Sequence, residues 1–202
     1  MSHRFARPHD GDVIGESFDD FLTMLDGPVY VVTTAADGQP SGCLVTSAAQ
    51  TSVQPPSFMV GFHYANPTAE VAGRSEYVAV HVLPRHARVL AELFAKLSDE
   101  DKFQRCSWRA GPFGMPILDD AVGWFVGKTA SRSPVGDHIA YLVEPVSVHA
   151  PELPEELLYL SDIDDFVVDD DGGHLDPQKL YKAQPRETTN RYGMRFTLDV
   201  PF

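Results

Sequence analysis

Basic charge is scarce in this chain, cysteine nearly absent and long apolar runs missing, and each shortage removes a class of function. Lysine and arginine number 16 against 29 aspartates and glutamates, a formal charge of -13 over 202 residues. That field repels polyphosphate backbones and anionic headgroups, so neither nucleic acid nor a membrane surface is an expected partner. No apolar stretch approaches the roughly 20 residues of a bilayer-spanning helix. Arg4 and Arg7 near the start are not followed by an apolar segment, which argues against a secretory leader and predicts a cytoplasmic protein. Cys43 and Cys106 fit no C-x-x-C or zinc spacing and read as reduced, buried, small apolar residues. His81 and His86 are five apart with Pro84 between them, which is not the i, i+4 pair of a helical metal site, so no metal is expected. Also missing are a G-x-G-x-x-G turn, a G-x-x-x-x-G-K-[ST] loop and a G-x-S-x-G elbow. Any nucleotide must therefore be held by something other than a Rossmann or P-loop cradle, the hydrolase nucleophile elbow is missing, and Cys43 has no base near it in sequence.

What is present can build one core: 43% of the side chains are hydrophobic, enough for a single domain with an appended arm. We expect an N-terminal arm over residues 1–15, a domain over 16–150, and a C-terminal arm over 151–202 whose prolines and Asp169-Asp170-Asp171-Gly172-Gly173 turn allow only short elements. This arm should pack on the domain or on a partner subunit. Phe18, Phe21, Leu22 and Leu25 recur at helical spacing between Glu16 and Leu25, and Gly27-Pro28 ends that helix. Val29 to Thr34 is β-branched and aromatic, and Ala36-Asp37-Gly38-Gln39-Pro40 turns it into the next strand. Further strands are expected over 57–63, 76–83, 123–131 and 138–148, with helices over 66–73 and 85–97. Asn66 caps the first of these helices, with Pro67 in its opening turn. Mostly antiparallel strands with inserted helices predict a closed barrel rather than a doubly wound sheet.

The chemistry concentrates in two places. Ser41-Gly42-Cys43-Leu44-Val45-Thr46-Ser47 is an apolar strand that ends in paired hydroxyls, and Ser52-Val53-Gln54-Pro55-Pro56 follows as a stiff turn. Hydroxyls and free N–H groups side by side make a shelf for a flat, polar, phosphorylated ligand. Gly136-Asp137-His138 puts an imidazole at the mouth of a strand with a carboxylate beside it. Alone it is ordinary turn chemistry.

Taken in order, these segments together with Asn66-Pro67-Thr68, Tyr77 to Leu83, Leu93-Phe94-Ala95 and Asp101-Lys102-Phe103 resemble the flavin reductase-like group of FMN-binding split β-barrels, from about Phe18 to about Val148. The resemblance implies a mainly β protein with inserted helices, a six-stranded antiparallel Greek-key split barrel. It also implies a homodimer, and hydride transfer from NADH or NADPH to FMN, with FAD as the alternative flavin. Val45, Thr46 and Ser47 match the strand end that lines the flavin ring and ribityl chain, with Ala48, Ser52 and Val53 following. Asn66 and Thr68 match the loop and helix start that meets the 5′-phosphate, where free N–H groups would favour an anion. Among the remaining matches, His63 and Phe94 join the flavin contacts, and His138 faces the nicotinamide as the catalytic candidate. A monooxygenase component that receives reduced flavin is the implied partner. The basic residue and serine usual in the phosphate loop are replaced by Tyr64, Ala65, Asn66 and Pro67, leaving Arg74 or another arginine to supply the charge. Two other functions stay open: a flavin-dependent oxidoreductase with a different small-molecule partner, and a split-barrel module that binds flavin or haem without turnover.

Overall fold

Asp37 and Gly38, with φ of 53° and 77°, make the tight turn between β1 (Tyr30–Ala36) and β2 (Gln39–Val45), which pair antiparallel. Asp-Gly suits a turn that needs two positive φ values. Pro40 sits inside β2 opposite Ala35 rather than in the turn, which an edge strand tolerates because its outward N–H has no ladder to serve. The structure is a computed structural model that describes residues 18, 21–22, 24–95, 102–151, 156–163, 187–189 and 195–197.

The main sheet has seven strands. Besides β1 and β2 it contains β3 (Ala48–Val53), β4 (Pro56–His63), β5 (Tyr77–Val82), β8 (Gly123–Val135) and β9 (His138–His149), in the order β2-β1-β5-β8-β9-β4-β3 with every adjacent pair antiparallel. The expected count of six is therefore corrected. β3 is the additional strand; its sequence Ala-Ala-Gln-Thr-Ser-Val is mostly exposed and carries no apolar alternation to betray it. β8 also continues past Ser131 to Val135, through Pro134.

The two outermost strands, β2 and β3, are consecutive in the chain and are joined only by Thr46 and Ser47. Laid flat, seven strands would put them about 29 Å apart at ~4.8 Å per strand. Two linking residues reach about 11 Å at most. The sheet must therefore curl enough to bring the ends of β2 and β3 near each other at this corner, but these two edge strands do not pair, so the sheet stays open where a closed barrel was expected.

Inside the roll lies a core that includes Val32, Val45, Val60, Phe62, Ile139 and Tyr141. A second core covers the outer side, where α2 (Arg88–Ala95), entered through a 3-10 turn at Arg85–Ala87, sets Leu90, Leu93 and Phe94 against Val29, Val31 and Leu83. Of the helix expected over 85–97, the last two residues lie outside the described set. The short hairpin β6 (Trp108–Ala110) and β7 (Pro116–Leu118) covers a third patch, through Ile117 against Ala79 and Val126. β10 (Glu187–Thr189) and β11 (Arg195–Thr197) pair with each other.

α1 (Pro67–Arg74) is held at both ends. The Thr68 N–H donates to Asn66 Oδ1 at 3.0 Å. Arg132, from β8, donates to the carbonyls of Ala72, Gly73 and Ser75 at 3.1, 2.8 and 2.8 Å, satisfying groups that a helix end leaves open. Between β1 and β7, His81 is fully buried. Its Nε2 accepts from the Leu118 N–H at 3.3 Å, so Nδ1 carries the proton and donates to the Val31 carbonyl at 2.9 Å. It is a structural cross-brace.

Residues 156–163 form a strap over the start of β1. Leu158 exchanges hydrogen bonds with Val29 and Leu83 at 3.2 and 3.0 Å and is itself buried in the second core. Ser161 bonds to Asp26 through its N–H and hydroxyl, and Arg85 bridges Glu156 and Asp162. At the N-terminal side, Phe18, Phe21 and Leu22 are helical as expected, while the remaining positions of that helix up to Thr23 fall outside the described residues. Phe18, Phe21, Leu22, Met24 and Leu25 are all exposed. Among the described residues no helix is long and apolar enough to cross a membrane.

Candidate functional site

The corner where the sheet's edges meet also gathers the exposed chemistry. Val45 and Ala48 turn inward onto the first core, leaving Thr46 and Ser47 exposed between them. Their hydroxyls make no hydrogen bond among the described residues. The Ser47 carbonyl accepts from the Gly61 N–H at 2.7 Å, which ties the corner to β4. A Cβ at position 61 would stand 3.0 Å from Ser47 Cβ, 3.2 Å from Ser47 O and 3.5 Å from His138 Cδ2. Gly61 is buried, and glycine there is what lets the Ser47 corner pack this closely on β4, beside the His138 ring.

The β4–β9 register sets His63 directly opposite His138. Phe62 and Ile139 point into the core, so strand alternation sends both imidazoles outward. The rings meet edge to face at 5.2 Å between centroids. Asp137 serves both: Oδ1 lies 2.6 Å from His138 Nδ1 and Oδ2 3.8 Å from His63 Nε2. Its carboxyl is held below the ordinary aspartate range, first by the hydrogen bond from His138, so it is ionised at neutral pH. The Asp137 backbone carbonyl accepts from the Tyr64 N–H at 3.0 Å, and Gly136 at φ 58° makes the turn that delivers it. No group of three or more His, Cys, Asp or Glu is arranged to hold a metal ion among the described residues.

Of the residues singled out from sequence, Thr46, Ser47, His63 and His138 converge here, with the Val45 and Ala48 backbone supporting them. Ser52 and Val53 do not. They pair with Ser57 and Pro56 at the far end of β3, about 14 to 17 Å along the strands from Gly61 at ~3.4 Å per residue. Phe94 is withdrawn from the set of ligand contacts: it is fully buried, packed edge to face on Phe103 and close against Gly42.

The phosphate cradle expected at α1 is not open either. The Asn66 N–H donates to His63 O, Thr68 N–H to Asn66 Oδ1 and Ala69 N–H to Asn66 O, while Pro67 has no N–H to offer. The Thr68 hydroxyl, buried, accepts from Ser41 at 3.0 Å. Arg74 stands at the opposite end of α1, paired with Glu70 and Asp37. The exposed Thr46 and Ser47 hydroxyls and the outward His138 are polar groups of the kind a flavin ring and ribityl chain could use, but the helix start forms no ready anion site.

Cys43 is buried beneath this region, and loss of solvent pushes its thiol up to about 11, so it is no nucleophile at neutral pH. Cys106 is half-buried rather than fully buried. Gly61 and the double role of Asp137 were missed from sequence. A lone glycine in an apolar strand was the one available signal for the first, and the second needs the strand register.

With this geometry in view, the relatives are informative. The flavin reductase-like domain family matches residues 23–163. The reductase component of 4-hydroxyphenylacetate 3-monooxygenase from Salmonella typhimurium is 30% identical over 132 residues, covering 62% of this chain and 76% of that protein. An NADH:FMN oxidoreductase from Rhodococcus qingshengii is 30% identical over 126 residues, 61% of this chain and 65% of that protein. A flavin reductase domain protein of known structure from Arthrobacter sp. FB24 superposes with a TM-score of 0.66 at 27% identity, covering 72% of this chain and 89% of that one.

Proposed function

The chain belongs to the flavin reductase-like domain family, and from that membership we propose that it is an oxidoreductase that passes hydride from NADH or NADPH to FMN at the Thr46–Ser47 corner. The observation that carries this reading is that the exposed Thr46 and Ser47, whose hydroxyls make no hydrogen bond among the described residues, are packed through Gly61 beside the His138 imidazole. When bound, the flavin supplies a ring that accepts hydride and can hand the electrons on. The protein's part is to hold two flat rings face to face and to exclude other orientations. Thr46 and Ser47 would hydrogen-bond the polar edge of the flavin and its ribityl chain. Gly61 lets Ser47 pack against β4 beside His138, which would contact the nicotinamide.

We further propose that the rolled sheet is a split barrel of the FMN-binding kind, a reading supported by the two-residue link between its outer strands. The working form is a homodimer, for which the exposed Phe18, Phe21, Leu22, Met24 and Leu25 provide apolar surface for a second copy to cover. Its setting is the cytoplasm, where reduced nicotinamide is made, and its customer a monooxygenase component, as the naming of the Salmonella relative suggests. The test is steady-state oxidation of NADH and of NADPH with FMN present and absent. Flavin-dependent oxidation that saturates in both substrates is expected; oxidation no faster than in a protein-free control overturns the proposal.

A further inference from the structure

The ionised Asp137 carboxylate can only accept hydrogen bonds. At 2.6 Å from Oδ1, His138 Nδ1 must therefore be the protonated nitrogen, and in the neutral ring Nε2 is left with a lone pair. His63 is fixed in the opposite sense. Its Nδ1 accepts from the Ala65 N–H at 3.1 Å, so the proton is on Nε2, which faces Asp137 Oδ2 at 3.8 Å. The carboxylate is thus approached by an N–H from each imidazole, and its main chain is anchored to Tyr64. His138 Nε2 has no hydrogen-bond partner among the described residues. The carbon beside it, Cδ2, is the atom that comes within 3.5 Å of a Cβ built on Gly61, so the Nε2 edge of the ring borders the corner.

We infer that Asp137, backed by His63, is a positioning residue that locks His138 into the Nδ1–H tautomer, so that the Nε2 lone pair selects the carboxamide N–H of the incoming nicotinamide. This deepens the reading above and rests on His138 facing the nicotinamide. A carboxamide offers both a donor and an acceptor, and an Nε2 lone pair accepts only the donor. A ring freed from Asp137 would carry its proton on Nε2 for much of the time and present the wrong polarity to that N–H.

Two measurements test this. Nitrogen-15 NMR of the imidazoles in the unaltered protein should show His138 as the Nδ1–H tautomer, and an Nε2–H tautomer overturns the inference without reference to turnover. The second compares KM for NADH with KM for its 3-acetylpyridine analogue, which keeps the acceptor oxygen and lacks the N–H. The unaltered protein should favour the carboxamide by about tenfold, the size expected when a polar group loses its partner. In Asp137→Ala the preference should fall to about twofold, with FMN affinity unchanged within about twofold as the control for folding. If His138→Ala leaves the KM for NADH unaltered, the underlying reading of His138 fails. If that variant raises KM while Asp137→Ala keeps the tenfold preference, the positioning role fails and the reading of His138 stands.

Discussion

Gly61 is the residue on which the corner turns. A methyl group there would stand 3.0 Å from Ser47 Cβ, inside normal contact, so Gly61→Ala must push the Ser47 loop away from β4. Strain of that order costs about 1–3 kcal/mol, and we expect flavin affinity to fall about tenfold in a fluorescence titration while the circular dichroism spectrum stays unaltered. His81 is a different kind of residue, buried for structure. Loss of solvent lowers it from 6.5 to about 4, so between those values the unfolded chain binds a proton that the folded one refuses. Stability is therefore complete above pH 6.5 and declines as pH falls toward 4, by about 3 kcal/mol in all. Urea midpoints measured across that range should show the decline, and His81→Gln should flatten it.

Among the elements, α1 illustrates how far sequence alone can reach. Asn66, Pro67 and Thr68 announced a capped helix, and the cap is present. The inference that a capped helix offers free N–H groups failed because the cap, the preceding loop and Pro67 leave none over. FMN, FAD and riboflavin should consequently bind within about threefold of one another in equilibrium dialysis, since the phosphate finds no helix cradle. The other end of α1 depends on Arg132, whose role no local pattern could reveal because it acts across 57 to 60 residues of chain. Arg132→Ala takes this donor from the Gly73 and Ser75 carbonyls, while the Ala72 carbonyl keeps the Ser75 N–H, and should lower stability by about 2 kcal/mol in chemical denaturation. β1, β5 and β9 were legible because β-branched and aromatic residues fill them. β3 was not, since an exposed edge strand needs no apolar pattern and gains its ladder from β4.

For the whole molecule, the site is a product of topology. Ser47, Gly61 and His138 are drawn together because two consecutive strands at opposite edges of one open sheet are joined by only two residues, an approach invisible to any window of local sequence. Likeness across many weak motifs carried the family assignment where no single motif could. The strap at 156–163 belongs to this scale too: Leu158 joins the second core from beyond the last long strand, and Leu158→Ala should lower stability by about 3 kcal/mol through the cavity it leaves. All of this bears on one claim, that the corner brings a flavin and a nicotinamide into reacting contact. The most direct measurement is the anaerobic absorbance of FMN mixed with the protein and then with NADH or NADPH. The account predicts bleaching of the flavin band at a rate that saturates with nicotinamide concentration and is slowed in His138→Ala. Bleaching no faster than in a protein-free mixture with both nicotinamides would contradict it.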